Sequence, residues 1–98
     1  MYVAAVTGLR FEWDPAKAEA NVGKHGVTFS DAQSVFADDR ARLINDPDYS
    51  DDETRFILLG LSYSLRLLVV VHCYRAEGNI IRIISARRAA SHEAKFYF

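Results

Sequence analysis

Residues 67–85 read Leu67-Leu68-Val69-Val70-Val71-His72-Cys73-Tyr74-Arg75-Ala76-Glu77-Gly78-Asn79-Ile80-Ile81-Arg82-Ile83-Ile84-Ser85, two apolar runs joined by a short polar connection. Short runs rich in Val, Ile and Leu between turn residues are strand signatures, and a connection as brief as 76–79 closes a hairpin. Leu67 to Val71 is apolar at every position. Both faces of that strand therefore need cover, which puts it at the centre of a sheet. Thr54 to Leu61 has the same character and reaches Arg66 through a turn around Ser64, while Ala41-Arg42-Leu43-Ile44-Asn45 is a modest further candidate. The expectation is an antiparallel meander of about four strands.

Upstream, Leu9-Arg10-Phe11-Glu12-Trp13 alternates apolar and charged residues like a half-buried strand and ends at Asp14-Pro15. Asp14 suits an N-cap and Pro15 the first helical position, where a missing N–H costs nothing. Gly26 can take the left-handed conformation that closes such a helix. Ser30 followed by Gln33 reads as a capping box, with Phe29 as a staple, for a short second helix to about Phe36. Ala86 to Phe98 returns to helical spacing through Ala89, Glu93, Phe96 and Tyr97. The fold class is thus α+β: two N-terminal helices, the meander and a C-terminal helix, in one domain over residues 1–98.

A chain of 98 residues with 50% apolar content supports one compact core. The lone Cys73, inside an apolar run, excludes an internal disulfide and is expected as a buried thiol, in keeping with a reducing cytoplasm. Met1 to Leu9 lacks the pattern of a signal peptide, and no segment has the length of a membrane span. The formal charge of −1 conceals an asymmetry: the acidic residues concentrate before Thr54 and the basic ones after it. Two readings stay open, attraction between the halves within the fold or a basic face for a polyanion.

The three histidines, His25, His72 and His92, are far apart and form no metal-ligand spacing, so neither metal nor cofactor is expected. The acidic segment from Asp46 to Ile57 has Asp51 and Ile57 where a calcium loop needs Gly and Glu, and reads as a solvated loop. Neither a nucleophile elbow nor a phosphate-cradling Gly-rich loop is present.

The cations near the C-terminal end are more informative. Arg82 stands between isoleucines, where a guanidinium needs either a carboxylate partner, such as Glu93, or a phosphate-binding cleft. Metal-free RNA cleavage needs a base for the 2′-OH, an acid for the leaving oxygen and fixed cations beside the phosphorus. Arg82, Arg87, Arg88, His92, Lys95 and Tyr97 include those types. Histidine is the side chain that ordinarily changes charge near neutrality, so His92 is either a proton carrier or a surface residue. Lys24 and His25 either meet the negative end of the first helix or contact substrate.

Phe11-Glu12-Trp13-Asp14-Pro15-x-Lys17 with Asn21, Lys24-His25-Gly26-Val27-x-Phe29, Ala32, Phe36 and Asp38 resembles the N-terminal signature of the BrnT family. Arg55-x-x-x-x-Gly60, Val69-Val70-Val71-His72 and Arg82-Ile83-Ile84-Ser85-Ala86-Arg87-x-Ala89 with Glu93 and Tyr97 are similar to the rest of that pattern. The resemblance implies a RelE-like fold and a bacterial type II toxin, a metal-independent endoribonuclease that arrests translation and growth. It further implies neutralisation by BrnA, a ribbon-helix-helix antitoxin through which alone the pair reaches operator DNA. By motif position it carries site roles onto Lys24, His25, Arg82, Arg87 and Tyr97. Residues 1–8 lie outside the signature, as an extra strand, a disordered lead or a misplaced start, and Phe98 leaves little tail for further site residues. A non-catalytic module that binds a DNA-binding partner as co-repressor is the competing expectation.

Overall fold

A computed structural model describes residues 2–6, 9–45 and 54–98. Its strands are β1 (Tyr2–Val6), β2 (Leu9–Trp13), β3 (Arg42–Asn45), β4 (Phe56–Leu61), β5 (Leu67–Arg75) and β6 (Ile80–Arg88). Its helices are α1 (Pro15–His25), α2 (Phe29–Ser34), extended by a 3-10 turn over Val35–Ala37, and α3 (Ser91–Ala94). One sheet holds all six strands in the order β1-β2-β6-β5-β4-β3. As expected, β5 lies inside the sheet, with antiparallel partners β4 and β6.

Three expectations need correction, and the reading left open for the N-terminal residues is decided over 2–6. The sheet is mixed, because β2 runs parallel to β6, with Phe11 opposite Ile81 and Glu12 opposite Arg82. Tyr2–Val6 makes a further strand antiparallel to β2, so the first of the readings for the N-terminal residues holds there. β6 continues to Arg88, three residues beyond Ser85, and leaves only Ser91–Ala94 for the last helix. The second helix is capped by Thr28, whose hydroxyl accepts from Asp31 N–H at 3.0 Å, two residues before the Ser30 of the expected Ser30–Gln33 box. The acidic segment 46–53 lies outside the described residues.

α1 forms as its end signals dictate. The Asp14 carboxylate accepts from Ala16 N–H at 2.9 Å, and Gly26, at φ +69°, donates its N–H to Val22 O at 2.8 Å. Both N-terminal helices cover one face of the sheet, where Phe11, Trp13, Leu58, Leu68, Val70, Ile81 and Ile83 meet Val27, Phe29, Ala32 and Val35. Asn21 fixes α1 there. Its amide donates to Ala86 O at 2.8 Å and Val27 O at 2.9 Å and accepts from Ala86 N–H at 3.1 Å. The side chain thus occupies both backbone polar groups of Ala86, beyond the point where β2 stops pairing, and both polar atoms of the buried amide have partners.

His72 lies in the same layer, fully buried among Phe36, Phe56 and Tyr74. Burial pushes its pKa down to about 4 against a weak opposing contact with Val70 O, so the ring is neutral at physiological pH. It is a core residue. Gly60 is equally committed to packing, since a Cβ there would stand 2.9 Å from Val35 Cγ1 and 3.0 Å from both Ala41 Cβ and Asp38 Oδ2. Cys73 is buried, as its place in the sequence predicts.

Candidate active site

The face of the sheet opposite α1 and α2 carries the charged residues, and a backbone irregularity decides which ones. Side chains five apart on a regular strand point to opposite faces. Arg82 and Arg87 would therefore be separated by the sheet. The β5–β6 register shifts by one residue at Val71/His72: Arg82 pairs with Cys73, Arg87 with Val69, and Ile84 has no opposite number. Cys73 and Val69 are four apart on an unbroken strand, so both arginines share one face. A β-bulge re-aims side chains in this way.

On that face each arginine meets a carboxylate. Arg82 Nη1 donates to Glu12 Oε2 at 2.9 Å, across the parallel β2–β6 pair, and Arg75 Nε lies 3.9 Å from the same oxygen. The partner of Arg82 is thus Glu12 rather than Glu93. Glu93 instead takes Arg87 in a bidentate pair, Nη1 to Oε1 and Nη2 to Oε2 at 2.8 Å each. Those bonds hold the Glu93 carboxyl at about 2 and push the Arg87 guanidinium up. Glu93 also accepts from Ala90 N–H at 2.8 Å, which fastens the first turn of α3. Arg87 Nη1 reaches Arg88 O at 3.2 Å as well. A guanidinium has five N–H donors. These contacts leave Nε–H and one Nη2–H of Arg87 without a partner among the described residues, the fork that grips a phosphate side-on.

Beside this pair runs an apolar groove of about 550 Å³, lined by Arg42, Ile44, Ile57, Leu59, Val69, His92, Glu93 and Phe96. Its floor comes from alternate residues of β3, β4 and β5, and its wall from α3. His92 is exposed in that wall, directly before the carboxylate that holds Arg87.

The other expected site residues are placed differently. Tyr97 is buried against Leu59 and Val69, and its hydroxyl donates to Asp38 Oδ2 at 2.7 Å, a bond that raises its pKa. Asp38 Oδ2 accepts from Leu61 N–H at 2.8 Å too, so this carboxylate ties the C-terminal turn to β4. Burial pushes the Asp38 pKa up, but the bonds from Leu61, Tyr97 and Arg40 outweigh it and leave it lowered. Lys24 and His25 form the end of α1, on the covered side of the sheet, and are not brought beside Arg87. Arg88 and Lys95 are exposed. Glu12, Arg75 and Phe96 were absent from the expected set. The alternation in Leu9-Arg10-Phe11-Glu12-Trp13 already assigns Glu12 to the face opposite Phe11, but nothing local says which strand lies alongside.

The model of a protein family described as "Ribonuclease toxin, BrnT, of type II toxin-antitoxin system" matches residues 13–93. Among solved structures, the chain is similar to the crystal structure of the Brucella abortus ribonuclease toxin BrnT, with a TM-score of 0.62 and 22% identity over 83% of this chain and 96% of that one. No curated protein matches by sequence.

Proposed function

Since the chain belongs to the BrnT family of ribonuclease toxins of type II toxin–antitoxin systems, we propose that it is a metal-independent endoribonuclease whose reaction takes place on the open face of the sheet, at Arg87. The observation that carries this reading is the bulge in β6, which places Arg82 and Arg87 on the face of the sheet that α1 and α2 do not cover, with the Glu93 partner of Arg87 lining the groove together with His92. Arg87 offers its side-on fork to the phosphate while Glu93 holds the far edge of the guanidinium still. A pre-oriented cation of this kind stabilises the charge that grows on the non-bridging oxygens as the 2′-oxygen attacks phosphorus. His92 carries a proton, either from the 2′-OH or to the departing 5′-oxygen. Tyr97, whose hydroxyl serves Asp38, and His25, on the covered side, play no part in the step. Lys24, Arg88 and Lys95 contribute only to the field that attracts RNA.

In this reading the fold is RelE-like and the toxin acts in the cytoplasm, where RNA cleavage arrests translation and growth as part of a bacterial stress response. No described helix is long and apolar enough to cross a membrane. The antitoxin partner that type II membership implies is a BrnA-like ribbon-helix-helix protein, and operator DNA is reached through it. The deciding experiment incubates purified, antitoxin-free protein with single-stranded RNA in EDTA and maps the product ends. Cleavage with 5′-hydroxyl ends, lost in Arg87→Ala, is the expected result; intact RNA at high protein excess would refute the proposal.

The apolar groove favours one other reading, a non-catalytic module that seats an amphipathic partner segment and acts as its co-repressor. It requires expression of the chain alone to be tolerated by the cell, whereas the ribonuclease reading requires growth arrest.

A further inference from the structure

The charged face does not end at Arg82. In the β2–β6–β5 register, Arg10 and Arg75 both stand opposite Ile80, one on each flanking strand, two rows beyond the Glu12–Arg82–Cys73 row and so on the same face. Arg75 approaches Glu12 on the same face as Arg82, and strand alternation assigns Arg10 to the side that Glu12 occupies. Both residues are exposed. From that row to Arg87, β6 covers about 20 Å at the usual rise per residue. Arg10, Arg75, Arg82 and Arg87 line this path against the carboxylates Glu12 and Glu93. Glu12 is shared between the guanidiniums of Arg82 and Arg75, so one carboxylate orients both.

We infer that this row is a remote phosphate-binding subsite for single-stranded RNA: the substrate backbone runs along β6 from Arg10 and Arg75, past Arg82, to the scissile phosphate at Arg87. The inference rests on the ribonuclease reading and adds to it where the rest of the strand lies. Arginines spread along one open strand suit a flexible single strand, which can follow the twist of the sheet and expose successive phosphates to it. The charge is paired but accessible, and a phosphate can share guanidinium donors with Glu12, as it does at Arg87 with Glu93.

The test measures anisotropy of a fluorescent octanucleotide of 2′-O-methyl RNA, which cannot be cleaved, across a salt series, alongside cleavage of the matching RNA in EDTA. For a single strand, each lost phosphate contact lowers the slope of log Kd against log salt by about 0.7, so Arg10→Gln with Arg75→Gln should lower it by about 1.4 and weaken binding several-fold. Lys17→Gln, on an exposed position of α1 across the sheet, serves as the control and should keep the slope. An unchanged slope in the double variant, with wild type binding and cleaving normally, would overturn the subsite, as would loss of antitoxin binding with RNA binding intact. Failure of wild type to bind or cleave RNA would instead remove the ribonuclease reading together with the subsite.

Discussion

Acidification should unfold this protein through His72 before its carboxylates come into play. The imidazole is fully buried, with Phe36 4.8 Å and Tyr74 5.3 Å away between ring centroids, and its pKa falls from 6.5 to about 4 on folding. A histidine whose folded pKa is depressed binds its proton preferentially in the unfolded chain. Its contribution is fully present above pH 6.5 and is lost progressively as pH falls towards 4. The whole displacement corresponds to at most about 3 kcal/mol, of which about 2 kcal/mol is gone by pH 5. Asp31, Asp38 and Glu93, whose pKa values are lowered, lose their contributions as pH falls from the ordinary carboxylate range downward, a window that lies mostly below that of His72. Urea unfolding between neutrality and pH 4 measures the effect directly. His72→Phe, which fits an aromatic box, should remove most of the slope in that window while leaving RNA cleavage at neutral pH in place. A His72→Phe variant with the wild-type pH dependence would refute the assignment.

Three further outcomes follow from contacts that the site depends on. Asn21→Ala leaves both backbone groups of Ala86 and the carbonyl of Val27 without their partner and should cost about 3 kcal/mol, read as a lower urea midpoint. Gly60→Ala drives a methyl into Val35, Ala41 and the carboxylate of Asp38, and should destabilise by about 1–3 kcal/mol, whereas the same change at the open Gly23 should not. Arg87→Ala should lower single-turnover RNA cleavage by about 100-fold or more, with a retained cooperative melting transition as the control for folding.

Most local signals in the sequence were faithful, the Ser30–Gln33 box excepted. Asp14, Pro15 and Gly26 bound α1 where they stand, and the uninterrupted apolar run 67–71 does occupy an inner strand. The signals that depend on distant partners were not legible. Ala86 to Arg88 has helical spacing with the residues after it, yet β5 and the amide of Asn21 claim its backbone and hold it as strand. A tyrosine near a cluster of cations suggests chemistry, but the carboxylate that receives its hydroxyl lies 59 positions earlier in the chain. Likewise Arg82 demanded an anion, and its pattern could not reveal that the anion is Glu12, brought alongside by a parallel pairing across 70 residues.

The pairing of β2 with β6 and the bulge in β6 together explain why the two candidate arginines lie on one face of the sheet, each beside a carboxylate. The parallel strand brings Glu12 alongside Arg82, whose Nη1 donates to Glu12 Oε2 at 2.9 Å. Without the extra residue at Ile84, the apolar alternation of Ile81 and Ile83 would continue and carry Arg87 beneath the helices, into the apolar layer of Phe11, Val70 and Ala86. The bulge resolves a conflict between two registers, one set by the isoleucines that pack on Phe11 and the other by Ala86, which Asn21 holds against α1. The same adjustment that lets both halves of β6 bury their apolar residues therefore turns Arg87 outward beside Glu93 and His92. In this chain the packing of the core and the alignment of the cations have a single structural cause.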